Sequence, residues 1–315
     1  MRTATRLAAY GLALAVVAGG AWAVGTAVGP LGESTTPAGA DHAMGTQAPA
    51  GTAVDDGLPG LAVAANGYRL ELGQNTVAVP SSLPFPFRIL GPDGAVVTRF
   101  DVEHDKRLHL VLVRRDTSGY QHLHPAMAAD GTWSVALTLP AAGTYRLFTD
   151  FKPEGGVRTT LGADVQVAGD YQPEHYDSPA RTDTVDGYGV RLDGELVPGR
   201  ESSLTVTLTR NGTPVGDLQP YLGAYGHLVT LRAADLGHLH VHPLGAPGDG
   251  RTTAGPEVRF AVAVPTAGRY RLFLDFQHQG TVRTAEFTVD TTGAPQPAAP
   301  AGTPPTETPH GGHGG

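Results

Sequence analysis

Short runs of apolar residues, each bounded by turn-forming residues, dominate the middle of the chain. Gly, Pro, Asp or Asn separate these runs at intervals of roughly ten residues, and the runs are rich in leucine, β-branched and aromatic side chains. Beyond residue 28, no helical period of 3.6 persists over ten residues. The pattern therefore predicts an all-β fold. The clearest predicted strands are residues 108–113, 133–139 and 144–148, then 204–209, 227–231, 259–264 and 269–273.

The chain contains one unit of sequence twice. An offset of 118 residues aligns residues 93–125 with residues 211–243, and 8 of the last 17 aligned positions are identical. Downstream, PAAGTYRLFTD at residues 140–150 recurs as PTAGRYRLFLD at residues 265–275. About 108 residues per unit, with about seven strands, predict two tandem β-sandwich repeats of immunoglobulin-like or cupredoxin-like type. The segment at residues 140–150 and its copy at residues 265–275 resemble a late strand of such sandwiches. In that strand a tyrosine, here Tyr145 or Tyr270, packs at a corner.

The regions around the two units have a different composition. We expect the first repeat at residues 61–168 and the second at residues 182–290, joined by a polar connector at residues 169–181. Residues 30–60 are mostly Gly, Ala, Pro and Thr, which predicts a flexible tether. Residues 291–315, which end in HGGHGG, have too few apolar side chains to form a core and predict an unfolded tail containing His and Gly.

The first 29 residues predict export. Residues 1–6 carry two arginines and no acid, and residues 7–28 form an uncharged run of 22 residues. A basic start followed by an apolar stretch is typical of a signal peptide, and residues 21–23 (AWA) resemble a cleavage site. The same run could instead remain as a hydrophobic transmembrane helix that anchors the chain in the membrane. Both alternatives place the repeats outside the cytoplasm, either secreted or anchored to the cell membrane.

Composition excludes several classes of site and partner. The chain has no cysteine, which excludes disulfides, thiolate zinc sites, iron–sulfur clusters and the blue-copper centre. There are 22 basic and 30 acidic residues, for a formal net charge of −8. This acidic balance argues against nucleic acid as a partner. The pattern identifies no protein partner.

Three histidines recur at identical spacing in the two units, in the pattern H-x12-H-x-H-P. Residues two apart on a strand point to the same face, so the last two histidines of each set should project together. The first histidine lies on the preceding strand, and it shares that face only if the intervening loop has an even number of residues. Three imidazoles would then lie close enough to bind one metal ion. The predicted ligands are His109, His122 and His124, and their counterparts His227, His240 and His242.

Two matched aspartates are candidates for a further ligand. Asp150 and Asp275 follow the RLF strand at equivalent positions of the two units. Arg158 and Arg283 are matched as well, so each arginine could pair with its aspartate instead.

Two unmatched histidines extend the candidate set. His238 stands where the first unit has Tyr120, and it continues the alternating pattern of the second unit. His104 in the first unit could contribute, although Leu222 occupies the equivalent position in the second.

The histidine set favours particular ions. Imidazole ligands suit Cu(II), Zn(II) and Ni(II), and the stability order favours Cu(II). The H-x-H-P motifs, the AGxY strand and the leader together resemble a family of secreted bacterial β-sandwich proteins linked to copper or heavy-metal handling. The resemblance covers residues 109–151 and 227–276. It implies sequestration or delivery of Cu(II) or Zn(II) by the matched histidines.

Two other functions compete with metal handling. The first is a structural or adhesive extracellular protein without metal, because histidines on strands also form hydrogen bonds to neighbouring backbone groups. The second is a zinc-dependent hydrolase. The sequence has no HExxH, GxSxG or paired-carboxylate signature, so we do not expect an enzyme.

Overall fold

The computed structural model describes residues 58–78, 81–239 and 241–292, with backbone only at residues 81–83. The predicted signal or anchor helix (1–29), most of the tether (30–57), the tail beyond residue 292 and His240 lie outside the described residues. Within the described ranges the chain forms twenty β-strands and no helix, which confirms the all-β prediction. A search of these same ranges found no helix suited to crossing a membrane.

The first repeat consists of two five-stranded sheets packed as a sandwich. One sheet has the order β1-β2-β4-β8-β7, and the other has the order β3-β10-β9-β5-β6. All neighbours pair antiparallel except β3, which runs parallel to β10. The strands are β1 (Ala64–Ala65), β2 (Tyr68–Leu72), β3 (Thr76–Val77), β4 (Ser81–Leu90), β5 (Leu108–Arg114), β6 (Gln121–Leu123), β7 (Ala126–Met127), β8 (Trp133–Leu139), β9 (Gly143–Phe151) and β10 (Thr159–Val167).

The second repeat has the same plan. One sheet has the order β11-β12-β13-β18-β17, with β14 paired to β13, and the other has the order β16-β15-β19-β20. Its strands are β11 (Thr182–Val185), β12 (Tyr188–Asp193), β13 (Glu201–Arg210), β14 (Thr213–Pro214), β15 (His227–Arg232), β16 (His238–Leu239), β17 (Val241–Pro243), β18 (Glu257–Ala263), β19 (Arg269–His278) and β20 (Thr281–Asp290).

The strand order is that of an immunoglobulin-like sandwich. In chain order, β2, β4, β7 and β8 correspond to strands A, B, D and E of one sheet, and β5, β9 and β10 to strands C, F and G of the other. The tyrosine corner of this fold is present in both repeats. The Tyr145 hydroxyl donates to the Ala141 carbonyl at 3.0 Å, and the Tyr270 hydroxyl donates to the Thr266 carbonyl at 2.8 Å. The structure therefore supports the immunoglobulin-like alternative.

Each sandwich is held by its own core, which follows from the alternation of the strands. On β13 the side chains of Leu204, Val206 and Leu208 are fully buried, while the residues between them are more exposed. With Phe260, Phe276 and Phe287 they belong to the core cluster of the second repeat. The first repeat has a separate cluster that includes Phe85, Phe87 and Trp133.

Strands β5 and β9 do not alternate, because both of their faces are buried. Every residue of β5 is buried, although only one face of its sheet contacts the core of the first repeat. The other face packs against β15 and β19 of the second repeat, within the single compact unit Asp55–Gly315. This junction has an apolar cluster of its own, formed by Val111, Val113 and Phe148 with Val229, Leu231, Leu236 and Phe273. The unbroken apolar run at residues 108–113 therefore reflects a strand covered on two sides.

The last residues of the predicted tether are packed rather than free. The buried Arg146 guanidinium donates to the carbonyls of Gly60 and Leu61, each at 2.7 Å from Nη2. The backbone N–H of His238 donates to the Pro59 carbonyl at 3.0 Å, so this segment contacts both repeats. Residues 59 and 60 are therefore anchored to the repeats, because a buried arginine needs acceptors that the composition of the segment does not reveal.

Candidate metal centre

The hairpin of β5 and β6 places the three histidines of the first repeat on one face. Val111 pairs with His122 and Leu110 with Leu123, so His109, His122 and His124 all point toward the second repeat. Residues 115–120 separate the two strands, which is the even number that this arrangement requires.

The three imidazoles converge on one point. One ring nitrogen from each of His109, His122 and His124 lies within 4.8 Å of the others. Ring centres are separated by 5.4 Å between His109 and His122, 5.1 Å between His109 and His124, and 4.9 Å between His122 and His124. Among the described residues this is the one group of three His, Cys, Asp or Glu side chains with ligand geometry. We call it the histidine trio.

Hydrogen bonds determine which ring nitrogens carry hydrogen. His109 Nε2 lies 3.2 Å from the Glu103 carbonyl, which can only accept, so this nitrogen is the donor. His122 Nδ1 lies 2.8 Å from the Asp275 carboxylate, which accepts in the same way. In neutral rings, His109 Nδ1 and His122 Nε2 then carry lone pairs. These two atoms face each other at 3.1 Å, a distance at which lone pairs repel unless a cation or proton lies between them.

The spacing of these nitrogens agrees with metal ligation. Two imidazole nitrogens at about 2.0–2.1 Å from a tetrahedral ion lie roughly 3.3 Å apart. The third member, His124, has a buried Nε2 without a hydrogen-bond partner in the described part of the chain. A buried polar atom without a partner is costly, so a ligand at this nitrogen would relieve that cost.

Burial favours the neutral form of His109, His124 and His227. Loss of solvent, together with the nearby imidazole of His122, lowers the pKa of His109 to about 4 and that of His124 to about 3. Burial likewise lowers the pKa of His227 to about 4. At pH 7 these rings therefore keep a lone pair available, as a metal ligand must.

The second repeat contributes His227 to the surroundings of the same site. The ring of His227 lies 6.2 Å from that of His109, 6.1 Å from that of His122 and 5.3 Å from that of His104, measured between centres. His227 Nε2 donates to the Leu222 carbonyl at 3.0 Å, so its Nδ1 carries the lone pair. His104 and His227 extend the trio into a cluster built from both repeats.

The predicted trio of the second repeat does not form among the described residues. His242 is exposed and lies on β17, which pairs with β18 in the sheet opposite to that of His227. The chain changes sheets directly after β16, whereas β6 of the first repeat extends to Leu123 beside β5. The expectation that His242 joins His227 on one face was therefore wrong. His240 is outside the described residues.

The matched aspartates have different partners. Asp150 accepts a hydrogen bond from Arg158 Nε at 3.1 Å, so in the first repeat the matched aspartate and arginine pair with each other. Asp275 instead accepts from His122 and from the Thr284 hydroxyl, the latter at 2.6 Å. Its matched arginine, Arg283, donates to Asp186 at 3.1 Å.

A small cavity of about 60 Å³ opens beside the trio. It has room for about two water molecules. His238 lies on its wall, with its ring 5.6 Å from that of Phe148. The cavity is lined by polar side chains from both repeats, namely His104, His109, His122, Asp150, Arg158, His227 and His238, together with apolar side chains of the junction.

Two tyrosines flank the site and were missed by the sequence reasoning. Tyr120 stacks on Phe273 of the other repeat, with ring centres 4.1 Å apart. Tyr221 lies 6.2 Å from both His124 and His227, and burial raises its pKa to about 12. The alignment of Tyr120 with the candidate ligand His238 was the signal in the sequence that pointed to Tyr120, because both positions face the junction.

Fold and site together define a tandem immunoglobulin-like sandwich protein with a histidine cluster at the junction of its repeats. The chain belongs to the family described as domain of unknown function DUF8832, whose model matches it twice, at residues 62–169 and 183–293. No protein with a curated description matches the sequence.

Solved structures similar to the chain come from several surface proteins. FdeC, described as an Escherichia coli adhesin, is 16% identical with a TM-score of 0.25, and the match covers 74% of this chain and 66% of that one. A putative membrane anchored protein from Corynebacterium diphtheriae is 10% identical with a TM-score of 0.22, covering 75% and 61%. The chain therefore spans about two thirds or less of the length of these two structures. The D00-D0 domain of intimin is 12% identical with a TM-score of 0.20, covering 70% and 98%.

Proposed function

We propose that the protein binds one divalent transition-metal ion, Cu(II) or Zn(II), through His109, His122 and His124. The observation that carries the proposal is the convergence of three imidazoles on one point. The protein binds the other ring nitrogen of His109 and of His122, and the buried Nε2 of His124 has no partner among the described residues. A ligand imidazole commonly donates its other N–H to a carbonyl or carboxylate, as His109 and His122 do. The donor set is all nitrogen, which suits these ions and not Ca²⁺ or Mg²⁺.

The proposed role is sequestration or delivery of the ion outside the cytoplasm. The basic and apolar leader supports export, with attachment to the membrane if the leader is retained. Cu(II) is the copper state expected there, and the chain has few methionines for a Cu(I) site. The resemblance to copper- and heavy-metal-handling β-sandwich proteins agrees with this role. We propose binding and not catalysis, because the sequence contains no hydrolase motif.

A structural or adhesive role is the second candidate. The observation that favours it is the direct packing of the two sandwiches on each other, which uses apolar side chains and not an ion. The apolar junction joins the sandwiches directly, and the connector packs on the second repeat. There, Arg271 lies 3.7 Å above the ring centre of Tyr176, and Arg269 donates to the Tyr176 carbonyl at 2.9 Å.

The experiment that separates the two candidates is the metal content of the protein purified without an affinity tag. We expect about one copper or zinc ion per chain, and a loss of most of it in His109→Ala and His122→Ala. His242→Ala is the matched control, because this exposed histidine lies on the opposite sheet and should leave the metal content unchanged. An equal, low metal content in all four proteins would leave the structural role.

A further inference from the structure

The two repeats differ in how they neutralise their matched aspartates. Asp150 is paired with Arg158, which also lies 3.5 Å from Glu103. In the second repeat the equivalent arginine, Arg283, turns away to Asp186 and to the carbonyls of His278 and Thr281. Asp275 is therefore left without its arginine.

Asp275 is nevertheless deeply buried. Its side chain is 3% exposed, and that of its partner His122 is 4% exposed. Its two hydrogen-bond donors are the Thr284 hydroxyl and His122 Nδ1, one from each repeat. A buried carboxylate is stable only when hydrogen bonds or a nearby cation replace its lost hydration, and neither of these two donors carries a permanent positive charge.

A cation has a natural position on the far side of His122. The opposite nitrogen of this ring, Nε2, points into the trio at 3.1 Å from His109 Nδ1. A cation bound there would be linked to Asp275 through the imidazole, in the carboxylate–histidine–metal arrangement that orients the ring and raises its basicity. The carboxylate comes from the second repeat and the ligand from the first.

We infer that Asp275 is the positioning residue of the metal site, so that the site belongs to the tandem and the bound ion fastens the two repeats together across their junction. This inference rests on the proposed metal binding. Asp275 orients His122 and supplies the counter-charge, while the neighbouring His227 comes from the same repeat as Asp275. The apolar side chains hold the repeats in contact, and the ion adds a polar link at the side of the junction where the trio lies.

The test compares Asp275→Asn with Asp217→Asn in the full chain, titrated with Cu(II) or Zn(II) alone against a chromophoric chelator. The asparagine keeps the size of the side chain and can still accept from His122, but it removes the charge. Asp275→Asn should weaken binding by about 10–100-fold, the usual effect of losing such a partner. Asp217→Asn, which alters a second aspartate–histidine pair outside the trio, should change it by less than about 3-fold because its partner is His278.

A second measurement guards against a variant that folds poorly. Hydrogen–deuterium exchange of the wild-type protein with and without metal should show slower exchange on β5 and β6 and also on β19, which carries Asp275. Protection confined to β5 and β6, or equal affinities of wild type and Asp275→Asn, would overturn the inference while leaving metal binding by the trio intact. A wild-type protein that binds no metal would instead refute the proposed function itself.

Discussion

At the scale of single residues, the site depends on which nitrogen of each imidazole the protein occupies. The Glu103 carbonyl accepts a hydrogen bond from one ring nitrogen of His109, and the Asp275 carboxylate accepts one from His122. The other nitrogen of each ring remains available to a ligand. His124 offers a buried nitrogen without any partner in the described ranges. The spacing of the histidines predicted their convergence for a loop of even length, but the tautomer of His122 follows from Asp275, which is distant in sequence.

The metal-free protein should lose stability as the pH falls from about 6.5 toward 4. Folding lowers the pKa of His109 to about 4, of His124 to about 3 and of His227 to about 4, mainly through burial. Below pH 6.5 the unfolded chain binds protons at these histidines, whereas the folded chain binds them only when the pH falls below the folded pKa values. The loss of stability is therefore complete only below those pKa values. Each histidine should contribute about 1–3 kcal/mol, measured by urea unfolding at several pH values in the presence of a chelator.

The control for this pH dependence is His124→Gln, which removes one of the three shifted groups. Its unfolding free energy should decline less steeply between pH 6.5 and 4 than that of the wild type. His175→Gln, at an exposed position of the connector, should reproduce the wild-type slope. If all three proteins gave the same slope, the buried imidazoles would not be the cause.

At the scale of elements, the repeated PxAGxYRLF segment builds the same corner in both sandwiches. Gly143 and Gly268 have positive φ angles of 128° and 147°, and the tyrosine two residues later turns its hydroxyl back to the preceding loop. Local sequence was sufficient to predict this feature, because the turn, the strand and the acceptor all lie within ten residues. The sheet change after β16 was not predictable in this way, because it depends on pairing with β18, which is distant in sequence.

Removing one corner hydroxyl should cost about 1 kcal/mol of folding free energy. In Tyr270→Phe the ring stays buried, but the Thr266 carbonyl loses its donor. Chemical unfolding measures the difference, and Tyr171→Phe, at a side chain that is 46% exposed, is the control with an expected change below about 0.5 kcal/mol. Equal stability of Tyr270→Phe and wild type would mean that the corner hydrogen bond makes no net contribution.

At the scale of the whole molecule, the junction makes one site from two repeats. An apolar cluster brings β5 and β15 face to face, and this contact places Asp275 and His227 beside the histidines of the first repeat. Duplication alone would predict two equivalent trios. The repeats differ because Arg158 binds Asp150 whereas Arg283 binds Asp186. They differ also because the chain passes from one sheet to the other at different positions relative to the histidines.

Metal binding should stabilise the entire tandem. A ligand that binds only the folded state at 100 times its Kd adds about 2.7 kcal/mol to the unfolding free energy. We expect Cu(II) or Zn(II) to raise the Tm in a calorimetric scan and EDTA to reverse the shift. A variant with His109, His122 and His124 all replaced by Gln should show no shift, and a shift of the same size in that variant would place the ion elsewhere.

The sequence by itself determined the all-β class, the duplication, the tyrosine corner and the shared face of His122 and His124, whereas the position of His109 on that face depended on the length of the loop at residues 115–120. These features are set by the two-residue period of strands and by short turns, both of which are local. Only the tertiary structure decided that β5 is covered on both faces, that His242 lies on the opposite sheet, and that Asp275 binds His122 while Asp150 binds Arg158. The physical reason is that packing between repeats, strand exchange between sheets and charge pairing all join residues that are distant along the chain.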